Sequence, residues 1–324
     1  MKAIVVRRHG GPEVLEYIDV PTPQTAPDEA LVRLHAIGVN RRDAFIREGI
    51  YPRALPLTPG IEAAGVIEAL GESVSRWHAG TRVVYYVPDR LGAYAEYQSV
   101  PVARLVQLPD AMPFEVAAAI FDHGLTAQYL TTSTFALREG HRALVHAGAG
   151  GVGSLLVQFA KQAGATVYAT ASTPEKQDWV RALGADAVIA YRDKDFVEAV
   201  RELTQGAGVD VVYDSVGAPT WHGSVRCLKP RGLLVLYGQS GGEVKAIDAS
   251  LLADAGSVFF TRPHLAHHIA TCEELDMRSA DLFARWQDGE ITFKNIHLYP
   301  LAEVAQAHAR LADRASFGKI VLQP

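Results

Sequence analysis

Ala143-Leu144-Val145-His146-Ala147-Gly148-Ala149-Gly150-Gly151-Val152-Gly153 is the stretch that decides the fold. It opens as a short apolar strand and runs straight into GxGxxG at Gly148, Gly150 and Gly153. The glycine pattern alone is weak; a strand before it and a helix after it supply the context it needs. That helix is legible, since Val152, Leu155, Leu156, Phe159, Ala160 and Ala163 recur on one face. Such glycines let the backbone turn tightly and approach a pyrophosphate. The helix N-terminus then offers N–H groups and a partial positive charge to the phosphates.

Outward from this loop, apolar strands alternate with helical patterns. The expected strands are Ala143–Ala147, Thr166–Thr170, Ala187–Ala190, Val209–Asp214, Gly232–Tyr237 and Ser257–Thr261. Helices are expected to begin near Val152, Pro174, Asp193 and Pro219, with a weaker one near Ser250. This alternation implies parallel βαβ units and an α/β, Rossmann-type doubly wound sheet, for which six strands is the full complement. A glycine-rich turn that binds nothing is the competing reading of the loop, and the six-strand frame argues against it.

The second strand bears on which dinucleotide binds. An NAD-selective site places Asp or Glu about 20 residues beyond the loop, on the ribose 2′-OH. Here the strand ends in Ala171-Ser172-Thr173-Pro174-Glu175-Lys176, a tip of small and hydroxyl residues followed by a cation. Ser172 and Lys176 suit a 2′-phosphate, and Tyr191-Arg192 would add a stacking face and a second charge. The expected cofactor is NADPH. The competing reading of Lys176 is a solvated lysine on a helix surface.

The first ~115 residues differ. Leu31–Ile37, Ile61–Leu70, Arg82–Val87 and Tyr94–Val100 are short strands between glycine or proline turns, as in a barrel or sandwich. From about Pro263, Glu273–Asp288 and Leu301–Asp313 read as helices and Lys319–Gln323 as a last strand that packs back on the N-terminal part. The expected division is a discontinuous domain, 1–116 with 264–324, around a nucleotide domain, 117–263. The 324 residues carry 31 Lys+Arg against 36 Asp+Glu, a net charge of -5 that argues against a basic nucleic-acid footprint. Two distant cysteines, Cys227 and Cys272, form no disulfide scaffold and suit a reduced, cytoplasmic setting. No apolar run is long enough to span a membrane, and the N-terminal run is too short for a signal peptide.

Taken in order, a set of local motifs resembles the zinc-independent quinone oxidoreductases of the medium-chain dehydrogenase/reductase superfamily. They are Gly38-Val39-Asn40-Arg41-Arg42-Asp43, Arg47-Glu48-Gly49-Ile50-Tyr51-Pro52, Pro59-Gly60-Ile61-Glu62-Ala63-Ala64-Gly65 and Gly92-Ala93-Tyr94-Ala95-Glu96-Tyr97. Gly124-Leu125-Thr126-Ala127, the glycine loop, Tyr213-Asp214-Ser215-Val216-Gly217, Thr261-Arg262-Pro263 and Gly318-Lys319-Ile320-Val321-Leu322 complete it. The resemblance implies a chaperonin-10-like (GroES-like) β-barrel domain beside the Rossmann domain, with NADPH in the cleft between them. It implies a homodimer through the Rossmann edge strand Ser257–Thr261; an open apolar edge would otherwise invite aggregation. It also implies a set of cofactor contacts. Asn40 and Thr126 would line the nicotinamide, and Gly150, Gly151 and Val152 the pyrophosphate. Ser172, Lys176 and Tyr191 would hold the adenosine phosphate end. Ser215, Tyr237, Gln239 and Ser240 would line the cleft, and Phe260, Thr261, Arg262 and Lys319 would close it. The catalytic candidates are Asn40 and Tyr51, as hydrogen-bond donors to a quinone oxygen; the competing readings are a turn residue and a loop anchor.

No metal is expected. Asn40 stands where zinc-dependent relatives carry their first catalytic cysteine, and Val87–Gly92 is too short for a structural zinc lobe. His264, His267 and His268 form HxxHH with no completing ligand set, and His123 and His146 read as packing or hydrogen-bonding residues. Ala44-Phe45 replaces the family's frequent Thr-Tyr, and Arg41-Arg42 adds cations that read mainly as solvent-facing. Two other functions stay open. One is a double-bond reductase for enones, alkenals or enoyl thioesters, for whose carrier phosphate Arg41, Arg42 and Arg47 would leave a basic groove. The other is a non-catalytic NADPH-binding protein.

Overall fold

A computed structural model describes residues 1–313 and 317–324. They form two compact units. One comprises Met1–Asp122, Ile269–Phe283 and Phe293–Pro324; the other comprises His123–His268 and Ala284–Thr292.

The second unit holds the parallel sheet. Its strands lie side by side as Ala187–Ala190, Thr166–Ala171, Arg142–Val145, Val209–Asp214, Leu228–Leu236 and Phe259–Thr261. By sequence that order is 3-2-1-4-5-6, with every pairing parallel. Val209, Val211, Val212 and Tyr213 are fully buried, as in a parallel strand covered on both faces. The chain reverses its strand order at Arg142–Val145, so the glycine loop leaves the sheet at the switch point where such folds bind ligands.

In the first unit a seven-stranded sheet runs Ile296–Pro300, Lys319–Gln323, Glu29–Val39, Glu62–Leu70, Arg82–Tyr86 and Leu105–Gln107, with Tyr97–Pro101 also on Glu29–Val39. Glu29–Val39 organises it. The start of that strand pairs Tyr97–Pro101, and its end pairs the C-terminal strand, Val39 opposite Ile320. The partner changes around Leu34–Ala36, where the register against Glu62–Leu70 also shifts. Ile4, Val32, Ile37, Ile67, Tyr85 and Leu322 form its core.

Several elements differ from the sequence expectation. The helix expected near Asp193 begins at Phe196, because the Asp195 carboxylate caps it by accepting from Val197 and Glu198 N–H groups. The strand expected from Gly232 starts at Leu228, and the edge strand starts at Phe259 because Ser257 adopts a left-handed φ of 57°. Leu301–Glu303 is a single 3-10 turn before the helix Val304–Ala312. Helices Arg41–Glu48 and Phe114–Tyr129 and strands Glu16–Asp19 and Ile296–Pro300 have no counterpart in the sequence reading. Arg41–Glu48 buries Asp43 and Arg47 beside Ala44 and Ile46, so it shows no clean apolar stripe.

The glycine loop is tight for a steric reason. Helix Gly151–Gln162 follows Gly150, and a Cβ on Gly153 would lie 2.3 Å from the Ala147 carbonyl oxygen. Gly153→Ala therefore forces helix and strand apart, at a cost of about 1–3 kcal/mol. Thermal unfolding will show a lowered Tm; an unchanged Tm would contradict this packing.

Candidate active site

Asn40 is the residue that ends the strand Glu29–Val39 and starts the helix Arg41–Glu48. It is 5% exposed and gripped at three points. Its backbone N–H donates to Asp43 Oδ2 at 2.8 Å, the reach-back that N-cap geometry favours. Its Nδ2 donates to Glu62 Oε1 at 2.9 Å, and its Oδ1 accepts from Lys319 Nζ at 2.7 Å. Lys319 also donates to Glu62 Oε1, closing a triangle of amide, carboxylate and ammonium. Glu62 Oε2 accepts the Asp122 backbone N–H at 3.1 Å. Glu62 and Lys319 are 0% and 2% exposed, so both charges depend on these bonds. Gly38 must lack a side chain here, because a Cβ would lie 2.1 Å from Glu62 Oε1.

A second chain of bonds backs this triangle. Arg47 Nη1 lies 2.9 Å from His308 Nδ1, His308 Nε2 lies 3.1 Å from Tyr94 Oη, and Tyr94 Oη lies 3.0 Å from Asp43 Oδ2. A guanidinium only donates, so His308 Nδ1 accepts and its Nε2–H donates to Tyr94. Tyr94 in turn donates to the Asp43 carboxylate. Burial, and then the Arg47 guanidinium, push His308 down to about 3. Burial pushes the Asp43 carboxyl up to about 6, against its bonds to Asn40 and Tyr94. Loss of water and then the Glu62 carboxylate raise Asp122 too.

Tyr51 packs edge-on against Phe45, ring centroids 5.4 Å apart, and its N–H donates to the Phe45 carbonyl at 3.1 Å. Of the two cations after Asn40, Arg41 is exposed, while Arg42 donates to the Pro88 carbonyl at 3.0 Å. Arg47 is 3% exposed and donates to the Gly10 carbonyl at 3.0 Å. The expected basic groove therefore loses Arg47, whose charge is spent inside the fold.

In the second unit, the remaining candidates follow the C-terminal ends of the parallel strands, apart from Thr126. Gly150, Gly151 and Val152 form the start of a 12-residue helix, whose first N–H groups have no intrahelical acceptor. At Gly151 a Cβ would lie 2.2 Å from the His123 ring, so a side chain there requires that ring to move. Ser172 follows the strand Thr166–Ala171. Next to it, the Thr173 Oγ1 accepts the Lys176 backbone N–H at 3.4 Å. Glu175, the acidic residue at this tip, is bonded to Thr173 and to its own backbone, which hold its carboxyl below the usual range. Tyr191 is 49% exposed past the third strand. The Ser215 carbonyl accepts from Ser240 N–H at 3.0 Å, and the hydroxyl of the half-buried Tyr237 bonds to Ser215. Arg262 donates to the Leu236 carbonyl at 2.9 Å and to Gln239 Oε1 at 3.3 Å, beside Phe260 and Thr261 on the edge strand. Thr126 is buried in the helix Phe114–Tyr129.

The histidines have structural partners. His146 Nε2 lies 3.0 Å from Ser224 Oγ and its Nδ1 3.3 Å from Thr170 Oγ1; burial lowers its pKa. His268 stacks on Tyr129 at 4.1 Å. Among the described residues no three His, Cys, Asp or Glu side chains converge to hold a metal ion.

Comparison with known proteins identifies the family. Residues 26–110 match the family described as alcohol dehydrogenase GroES-like domain, and residues 151–275 match zinc-binding dehydrogenase. The chain is 43% identical to the quinone oxidoreductase of Pseudomonas aeruginosa, covering 100% of this chain and 99% of that protein. The chain belongs to the quinone oxidoreductases of the medium-chain dehydrogenase/reductase superfamily. Within that family, the structure of Escherichia coli quinone oxidoreductase complexed with NADPH superimposes with a TM-score of 0.97 at 40% identity, covering 100% of both chains. A 2-haloacrylate reductase from Burkholderia sp is 38% identical, covering 99% of this chain and 98% of that protein. The two family matches correspond to a GroES-like domain and a Rossmann-like parallel sheet.

Sequence reading missed Asp43, Glu62, Tyr94, Asp122 and His308 as members of the site. A signal was present: Glu62 and Lys319 each stand directly before a run of small or apolar residues, Ala63–Ile67 and Ile320–Leu322, in their strands. Isolated opposite charges in buried strands need each other.

His308 and Asp43 make opposite contributions to acid stability. The unfolded chain protonates its histidine near 6.5, while the folded chain resists until about 3. Stability from His308 is therefore complete above about 6.5 and lost as pH falls. Asp43 binds its proton more readily when folded, so its contribution grows as pH falls from about 6. His308→Gln keeps an acceptor for Arg47 and a donor for Tyr94 but cannot titrate. Urea unfolding will show its deficit against wild type shrinking by about 2 kcal/mol between pH 7 and pH 5. A deficit independent of pH would contradict the neutral, buried histidine.

Proposed function

We propose that this protein transfers hydride from NADPH to quinones without a metal. The observation that carries the reading is the Asn40–Glu62–Lys319 triangle. Asn40 stands at the position where the resemblance places a zinc ligand in zinc-dependent relatives. The Lys319 ammonium already bonds Asn40 Oδ1 and neutralises Glu62, so these residues offer no site to a dication. The quinone and NADPH named for the E. coli and P. aeruginosa relatives support the same substrates here.

The donor set fits a phosphorylated dinucleotide. The pyrophosphate would lie on Gly150, Gly151 and Val152 at the start of the helix. The 2′-phosphate would lie on Ser172 and Lys176, with Tyr191 against the adenine, since Glu175 is already engaged. Asn40 and Thr126 would line the nicotinamide, Ser215, Tyr237, Gln239 and Ser240 the approach, and Phe260, Thr261, Arg262 and Lys319 its margin. Bound NADPH supplies the hydride. As a quinone oxygen gains charge, the Asn40 amide donates a hydrogen bond to it, with Tyr51 as the second donor. A proton from water completes the hydroquinone.

The segments 1–116 and 264–324 would serve the substrate and 117–263 the nucleotide. A second copy would pair along Phe259–Thr261, where Phe259 is 61% exposed on an open edge. Two unpaired cysteines suit the cytoplasm, and no described helix is long and apolar enough to cross a membrane. Nucleic acid is not an expected partner at a net charge of -5. The 2-haloacrylate reductase relative favours one alternative, reduction of an activated carbon–carbon double bond by the same hydride.

Steady-state oxidation of NADPH and NADH with 1,4-benzoquinone, 9,10-phenanthrenequinone and a 2-alkenal, with and without chelator, tests this. Quinone turnover will prefer NADPH and ignore chelator. Lys176→Ala will raise the KM for NADPH about tenfold, one lost charge-assisted contact, and leave that for NADH unchanged. Turnover with the alkenal alone would establish the alternative; equal affinity for the two nucleotides would remove the assignment of Ser172 and Lys176.

A further inference from the structure

We infer that Glu62 and Lys319 are positioning residues that fix which end of the Asn40 carboxamide faces the reacting oxygen. The inference rests on the reading of Asn40 as a donor to quinone. An asparagine amide presents a donor at one end and an acceptor at the other, and a half-turn exchanges them. Here the exchange is forbidden chemically. Lys319 Nζ only donates, so the atom 2.7 Å from it is Oδ1. The Glu62 carboxylate only accepts, so the atom 2.9 Å from it is Nδ2. The flipped amide would set N–H against ammonium and oxygen against carboxylate, both repulsive.

The amide Nδ2 carries two hydrogens, and Glu62 takes one. Among the described residues the second has no partner, and Asn40 keeps 5% exposure. The triangle thus presents an N–H donor at fixed orientation. A donor is what an oxygen gaining negative charge requires, and one that need not reorient costs nothing at the moment of transfer. The backbone is held as well, by the Asp43 carboxylate on the Asn40 N–H.

Glu62→Gln tests this, because glutamine has nearly the same shape and can donate or accept. It no longer excludes the Asn40 oxygen, and leaves Lys319 alone to oppose the flipped amide. With saturating NADPH, kcat/KM for 1,4-benzoquinone will fall about tenfold or more, the order of a weakened oxyanion donor. The Kd for NADPH will stay within about twofold, since the change is confined to the orientation of one amide. The loss will be greater for electron-rich quinones such as duroquinone, which need the donor more, and the isotope effect with 4-deuterated NADPH will rise. A merely structural role would lower all quinones alike. If Lys319, left without its counter-charge, prevents folding, the neutral pair Glu62→Gln with Lys319→Met removes both restraints on the amide, and its kcat/KM and substituent dependence at saturating NADPH carry the test. A folded variant with wild-type kcat/KM and unchanged substituent dependence would overturn the inference. Asn40→Ala separates the two levels. Impaired Asn40→Ala with normal Glu62→Gln removes the positioning role alone. Normal Asn40→Ala removes the donor reading and the inference with it.

Discussion

The buried ion pair of Lys319 and Glu62 is the constraint on which the first unit depends. It joins residues 257 positions apart, one on the C-terminal strand and one on Glu62–Leu70. Taking two charges out of water costs several kcal/mol per ion, and the pair is tolerable only where further hydrogen bonds complete it. Asn40 and the Asp122 backbone N–H provide those bonds. The strand pairing of Ile320 with Val39 sets Lys319 beside Asn40, so register and ion pair require each other. A discontinuous unit assembled from both chain ends is thereby locked at one point, and that point is the proposed reaction site.

The same region shows how a fold keeps several buried acids in order. Asp43 sits at the end of a bond chain whose direction is set by Arg47, which can only donate. His308 passes that polarity on and stays neutral. The result is a carboxylate fixed behind the Asn40 backbone and an amide fixed in front of it. In the second unit the equivalent restraint is steric. Glycine at 153 is required because the Ala147 carbonyl occupies the space a side chain would need, and at 151 the His123 ring fills the same space. One unit orients by charge and the other by close backbone approach, which suits a polar reaction centre and a phosphate cradle respectively.

The parallel sheet was readable because its strands carry mostly apolar runs between helical patterns and its first loop carries glycines at fixed offsets. Those signals are local. They point to six strands alternating with helices, and the structure adds the order 3-2-1-4-5-6. Helix Arg41–Glu48 was not readable, because its inward face carries Asp43 and Arg47, whose burial makes sense only beside Tyr94 and His308. Strand Ile296–Pro300 was missed for a related reason: it is an edge strand with mostly half-buried or exposed residues and no alternation to detect. Of the site, Asn40 and Lys319 were legible through motif resemblance. Their bond to each other and to Glu62 was not, since it spans nearly the whole chain.

We propose a two-electron hydride transfer from NADPH to a quinone that needs no metal ion. Its most direct test is a single turnover: protein freed of metal by chelator, metal content assayed, loaded with stoichiometric NADPH and mixed anaerobically with 1,4-benzoquinone. The expected result is loss of NADPH absorbance matched one-for-one by hydroquinone, without a semiquinone signal. Turnover that vanishes with the metal and returns on adding zinc would contradict it.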